Sequence, residues 1–333
     1  MNTATRHLAI TSIATSLLAL PAAGDLGPAE GFTIFVTGNH QANNTDCTGR
    51  VAVGGPATYN NMGIGSGLSN SNGDRDDLIV AGTLQWNNGQ NFNGNTQCSG
   101  SVNMNGVGTP NGDVSDVVAI NFEAADQELR ALSDALADVS PNGNVTNQNG
   151  ILNMTGSDPD LNVFKVRRSQ LHPLWGMTIT VPEGSSVLVN VRGQSMQLNN
   201  FQPTLQGCTP DKVLFNLSRC NSLQMNSIGW KGTVLAPKAN IQFNNGQIDG
   251  SLIASTVQGN GESHHLPFTG DLPSGGGDGG GNGGGGGHGG GGGGHGGGGC
   301  GGGGGDNGDD GDDDHDDDDD DDEITIDITS IYD

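Results

Sequence analysis

Four stretches of this chain repeat one pattern, and the repeat limits the fold more than any other feature. Leu78-Ile79-Val80 leads to Gln85-Trp86-Asn87-Asn88-Gly89-Gln90, and Val187-Leu188-Val189 to Gln197-Leu198-Asn199-Asn200-Phe201-Gln202. Val213-Leu214-Phe215 leads to Gln224-Met225-Asn226, and Val234-Leu235-Ala236 to Gln242-Phe243-Asn244-Asn245-Gly246-Gln247. Each is an apolar strand, a polar corner, then Gln-apolar-Asn. From Val187 the successive starts lie 26 and 21 residues apart, and Leu252-Ile253-Ala254 follows Val234 by 18. Periods of this order mark coiled repeats. The unit expected is one rung of a β-helix, with apolar side chains stacked inward and Asn or Gly turning the corners. Those two residues tolerate the left-handed backbone that such corners need. Asn side chains also stack in hydrogen-bonded ladders from rung to rung. The uneven period keeps a β-sandwich with Asn/Gly hairpins as the rival fold.

Composition narrows the class by exclusion. Hydrophobic residues are 32% and charged residues 15% of 333. That is too apolar-poor for an ordinary enzyme of this size and too sparsely charged for a chain disordered throughout. One helix stands out within the body, residues 25–273. Val117, Val118, Phe122, Ala125, Leu129, Leu132 and Leu136 recur at three- and four-residue steps, predicting an amphipathic helix over 115–137 packed against something larger. The fold class expected is mainly β, a β-helix with one long helix alongside, followed by a Gly/Asp-rich tail.

The ends differ from the body. Residues 1–24 have the pattern of a signal peptide: Arg6 and His7, a short apolar stretch Leu8–Leu20, then Pro21-Ala22-Ala23-Gly24. Residues 274–305 are almost pure Gly, a flexible tether. The formal charge is −25, and sixteen of the 37 acids lie in 306–333 without a base. An anionic chain with no basic cluster will not hold a phosphate backbone, so nucleic acid is excluded as a partner. Within the Asp-rich tail, 306–322, the run Asp312, Asp313, Asp314, Asp316, Asp317, Asp318, Asp319, Asp320, Asp321 and Asp322 offers oxygen ligands suited to diffuse, weak binding of calcium or mineral. The bland alternative is a solubilising acid tail. Residues 323–333 alternate apolar and polar as a strand would, with Ile324, Ile326 and Ile328 fit to add to a neighbour's sheet edge.

Export makes disulfides expected for the four body cysteines. Of the three pairings, Cys47–Cys98 and Cys208–Cys220 are favoured, because each pair shares a turn-rich neighbourhood. Cys300, alone in the Gly tract, suits an intermolecular bond or stays a capped thiol. Asn43, Asn144, Asn153 and Asn216 head glycosylation sequons, a weak signal in so Asn-rich a chain.

The body resembles the choice-of-anchor A domain family, adhesive modules of secreted and surface proteins. The resemblance rests on Phe32–Val36, Gly49-Arg50-Val51-Ala52-Val53-Gly54-Gly55, Asp77-Leu78-Ile79-Val80-Ala81-Gly82 and the helix. It continues in Val187–Val191 with Gly193, Gly232-Thr233-Val234-Leu235-Ala236-Pro237-Lys238-Ala239 and Gly250-Ser251-Leu252-Ile253-Ala254. It closes on Gly259-Asn260-Gly261-Glu262-Ser263-His264-His265 and Pro267-Phe268-Thr269-Gly270, and covers about 32–273. It implies a β-helical fold with a helix alongside, and extracellular attachment through a variable C-terminal anchor. No sortase-type motif, terminal hydrophobic segment with a basic stop, or lipid-anchor tail is present.

No catalytic residue is expected: the chain has no nucleophile elbow, HExxH or phosphate-cradling loop. Asp74, Asp76 and Asp77 read as a turn, and Asp158, Asp160 and Asn162 start an EF-hand-like loop that lacks its Gly and Glu. Glu262 and His264 share a strand face but are too few for a metal site. The function expected is a non-catalytic adhesion or extracellular-matrix protein with an extracellular surface, polysaccharide or mineral as partner, no required cofactor, no transmembrane anchor, and self-association through Cys300 or the terminal strand. The alternatives are an ice- or crystal-face-binding protein, which the unequal Gln and Asn spacing argues against, and a glycan-acting hydrolase on a β-helix.

Overall fold

A computed structural model describes residues 26–171 and 173–273. The expected signal peptide, Gly tether, Asp run, Cys300 and terminal strand lie outside the described residues.

Apolar triplets form most of the first face of the solenoid, as the repeat predicts, and the two strands at one end, Asn95–Cys98 and Val114–Ser115, are more polar. Leu161–Val166, Ser186–Val191, Val213–Asn216, residues 233–236, 252–254, Phe32–Val36, Arg50–Val53, Asp76–Val80, Asn95–Cys98 and Val114–Ser115 stack in that order, all parallel. Side chains alternate in and out along each strand. Leu252, Ile34, Val51 and Leu78 are register neighbours pointing inward, and Ala254, Val36, Val53, Val80 and Cys98 form a second inner column. Two further parallel faces complete each coil. Strands such as His40–Cys47, Ala57–Ile64 and Leu84–Asn91 bend across both. The bend falls at Asn44, Asn61, Asn88, Asn200 and Asn245, each at positive φ between 51° and 61°. The corner amides stack as expected: Asn61 Nδ2 donates to Asn44 Oδ1 at 3.2 Å, Asn60 to Asn43 at 2.9 Å, and Asn226 to Asn199 at 3.1 Å. One end of the stack carries a separate four-stranded sheet of Asn144–Gln148, Ile151–Thr155, Gly176–Thr180 and Thr204–Gln206.

The order of that stack holds a feature the repeat does not reveal. The first strand, Phe32–Val36, pairs with residues 252–254 near the end of the body, so the chain begins in the middle of its own solenoid. It coils outward in one direction as far as Val114–Ser115, crosses back, and coils inward from Leu161–Val166 to meet its start. The helix, Phe122–Asp138, makes the return crossing. Phe122 meets Phe35 with ring centroids 5.6 Å apart, and the carbonyl of Leu136 accepts from Asn190. Phe122 to Leu136 spans about 21 Å at the helical rise. The four ladder steps from Phe35 through Ile253, Leu235 and Asn216 to Asn190 span about 19 Å. The helix thus matches the part of the return that runs from Phe32–Val36 in mid-stack to Ser186–Val191, and residues 116–121 cover the stretch before it.

The helix covers the outward residues of the first face. Phe35, Ile79, Leu188, Leu214, Leu235 and Ile253 pack against Phe122, Ala125, Leu129, Leu132 and Leu136. The helix starts seven residues later than its periodicity suggests. The Asn121 side chain caps it by accepting from the Ala124 amide, and Val117 is left 64% exposed. A buried amide cluster fixes its C-terminal half: Asn216 Nδ2 donates to Ser133 O at 2.8 Å and to Asn190 Oδ1 at 2.8 Å, while Ser133 Oγ donates to Asn216 Oδ1.

Three expectations need correction. Asn216 is 1% exposed and fully hydrogen-bonded, so in the folded protein it cannot accept a glycan. Cys47, Cys98, Cys208 and Cys220 stand as free thiols, and neither favoured bridge is formed. Cys47 is separated from Asn91, which precedes Cys98 by a corner, by two ladder steps, about 10 Å, beyond the span of a disulfide. Between Cys208 and Cys220 lies the straight strand Val213–Asn216, about 13 Å long.

Candidate surface-binding face

The second face is built from the Gln-apolar-Asn segments. Its inward residues close the core: Met196, Leu223, Ile241 and Val257 in one column, Leu198, Met225, Phe243, Ala42, Tyr59 and Trp86 in the next. Tyr59 and Trp86 meet edge-on at 5.6 Å, and His40 meets Tyr59 at 5.2 Å with its Nδ1 2.9 Å from the phenol oxygen. Burial pushes the His40 pKa down to about 4. This ring stack gives the middle rungs a buried aromatic backing.

Outward, the register places the glutamines side by side. Gln197 stands next to Gln224, then come Gln242, Gln258, Gln41, Thr58, Gln85 and Asn103. A second column runs Asn199, Asn226, Asn244 on one side of the closure and Asn43, Asn60, Asn87, Asn105 on the other. Seven ladder steps give the glutamine column a length of about 33 Å with a repeat of about 4.8 Å. The two columns differ chemically. The asparagines are paired with one another along the stack. The glutamine amides of this column make no side-chain hydrogen bond to any described residue, so they present donors and acceptors to whatever lies outside.

This corrects the objection drawn from unequal spacing. The intervals of 26, 21 and 18 residues differ in sequence. The surplus is taken up in the corners and turns, and the glutamines return to one line. The rung pattern was legible in the sequence, but the alignment of its outward residues was not, because it depends on strand register.

The other singled-out groups are structural. Asp77 is fully buried and paired with Arg75 at 2.6 Å, which ties down the preceding turn. Asp158 Oδ1 accepts from the amides of Asp160 and Leu161, holding its pKa below the usual carboxylate range. His264 Nδ1 lies 2.6 Å from Asp249 and its Nε2 3.4 Å from Glu262. Partial burial pulls the His264 pKa down, but the Asp249 hydrogen bond and charge, with Glu262, outweigh it and hold the pKa above the ordinary value. Among the described residues no group of three or more His, Cys, Asp or Glu is placed to hold a metal ion. Burial raises the thiol pKa of Cys47 to about 12 and those of Cys208 and Cys220 to about 11, so none is a ready nucleophile.

No curated protein matches this sequence. Among solved structures, the chain is similar to the crystal structure of an ice-binding protein from an Antarctic ascomycete, Antarctomyces psychrotrophicus, at 15% identity over 73% of this chain and 98% of that one, with a TM-score of 0.40. It is also similar to that of an ice binding protein from an Antarctic biological consortium, at 12% identity over 77% of this chain and 96% of that one, with a TM-score of 0.37. A family model described as "Putative Ice-binding-like adhesive domain" matches residues 25–265, with the solenoid, helix and closing strands inside it. The adhesive character expected from the sequence therefore stands, under this family rather than under choice-of-anchor A specifically, and the chain belongs to the ice-binding-like adhesive domain family.

Proposed function

We propose that this protein is a non-catalytic adhesive that docks the glutamine face onto an extended extracellular surface, such as a polysaccharide or mineral. The observation that carries the reading is the unpaired amide column of Gln197, Gln224, Gln242, Gln258, Gln41 and Gln85 in strict register. A solid surface with a repeating hydroxyl pattern meets such a column at many points at once. Each amide contact is weak alone, and simultaneous engagement multiplies them. The rigid ring stack behind the face means little ordering entropy is lost on contact. Membership in an adhesive domain family accords with action outside the cell. The choice-of-anchor A motifs are kept as the finer reading of the same adhesive role. Calcium on Asp312–Asp322 remains an added means of retention, tested by calcium uptake before and after removing 306–333.

Ice is the second reading, favoured by the same regular spacing and by the family's description. The purified chain should adsorb to insoluble polysaccharide or mineral particles, and the double variant Gln41→Lys/Gln242→Lys should lose at least tenfold in affinity with unchanged melting. Thermal hysteresis in the wild type that the double variant lacks would assign the face to ice. Adsorption equal in both proteins, or sugar release from the polysaccharide, would overturn the adhesive reading of this face.

A further inference from the structure

The third face of the solenoid carries a groove of different chemistry. Along the register, Asp46 stands beside Gly63, and Gly63 beside Gln90. Two side chains about 10 Å apart thus flank a rung that has none. The groove has a volume of about 440 Å³ and is open to solvent. Phe92 reaches into it: a Cβ on Gly63 would lie 3.2 Å from the Phe92 ring and would overlap the Asp46 carboxylate. Ring and carboxylate therefore lie side by side over a backbone floor. Asn44 and Asn61, the corner amides, form the rim toward the glutamine face.

The groove is preorganised at the backbone but unspent at the side chains. The Phe92 amide donates to Ile64 O at 2.9 Å, and its carbonyl accepts from Asn111 Nδ2 at 2.8 Å. Neither the Asp46 carboxylate nor the Gln90 amide makes a hydrogen bond or ion pair with any described residue. An aromatic ring, an unpaired carboxylate and an unpaired amide around one open floor match the needs of a pyranose ring. Its C–H face packs on an aromatic, and its hydroxyls need both acceptors and donors.

We infer that Asp46, Gln90 and Phe92 form a saccharide-binding site for one pyranose unit of a neutral glycan, separate from the glutamine face. In it Phe92 holds the apolar side of the sugar, Asp46 accepts from adjacent hydroxyls and Gln90 bridges a third. The site does not rest on the adhesive reading of the glutamine face, and the two fail independently. A single shallow subsite binds weakly, with Kd of about 1 mM.

The test uses the full chain with cellotetraose, chitotetraose and mannotetraose. Saturation-transfer NMR should mark the C–H protons of at least one of them, and titration calorimetry should give its affinity. Phe92→Ala should weaken that binding at least tenfold and Asp46→Asn about threefold, with circular dichroism and melting unchanged. Gln127→Ala, on the exposed side of the helix, should leave it as in the wild type. No saturation transfer from any of the three, or equal binding by Phe92→Ala, would overturn the assignment. An insoluble polysaccharide bound by Phe92→Ala but not by Gln41→Lys/Gln242→Lys would assign surface adhesion to the glutamine face alone.

Discussion

His40 is a titratable side chain sealed among rings. Its folded pKa of about 4 lies below the ordinary 6.5, so the fold holds it neutral. Its stabilising contribution is complete above pH 6.5 and declines as pH falls toward 4, where the unfolded chain takes up the proton first. The shift corresponds to about 3 kcal/mol. Urea melts at pH 7.5, 6 and 5 should show this decline, and His40→Gln should flatten it. His264 acts in the opposite sense. Its raised pKa gives stability present below the unfolded value and lost as pH rises through the folded one. Being a third exposed, it contributes little. Neither role is fully legible in the sequence: His40 is buried by rings of other rungs, and the Asp249 that pairs His264 lies on the neighbouring rung, although Glu262 shares its strand.

Among the elements, the helix shows where pattern reading succeeds and where it stops. Phe122, Ala125, Leu129, Leu132 and Leu136 fall on the predicted stripe and are buried. Val117 and Val118 fit the same period but precede the cap, so periodicity alone overextends the start. Ser133, Asn190 and Asn216 carry no apolar signal, yet they lock the helix to the solenoid. Replacing Asn216 with Leu leaves Ser133 O and Asn190 Oδ1 without their donor in a dry interface. That should cost about 2–4 kcal/mol by chemical denaturation. Ser218→Ala, which removes the sequon while keeping the amide, should cost less than 1 kcal/mol. Equal losses in the two variants would show that the cluster is not what secures the helix.

At the scale of the molecule, rungs were legible because each repeats a local pattern, and their order was not. Ile34 meets Leu252, and Phe32 O accepts from Ser251 Oγ at 2.7 Å, contacts more than two hundred residues apart in sequence. Nothing local encodes them. The disulfide expectation failed for the same reason: nearness along the chain says little about height in the stack. Removing 252–273 should expose the edge of Phe32–Val36 in mid-stack and give an aggregating product. Removing only 266–273, past the last strand, strips Phe268 and Leu272 from the helix-side core and should lower the melting point, but it uncovers no mid-stack strand edge and should give no aggregate by light scattering.

That mid-stack closure also sets a timetable for synthesis. The strand that completes the ladder beside Phe32–Val36 is made some two hundred residues after it. Until then the earlier coils have an unfilled side, and contacts of such long range form slowly. The nascent chain cannot become native by stages from its leading end. It stays pliable until almost all of the body has been made, and the last few dozen residues of the body set the whole stack at once.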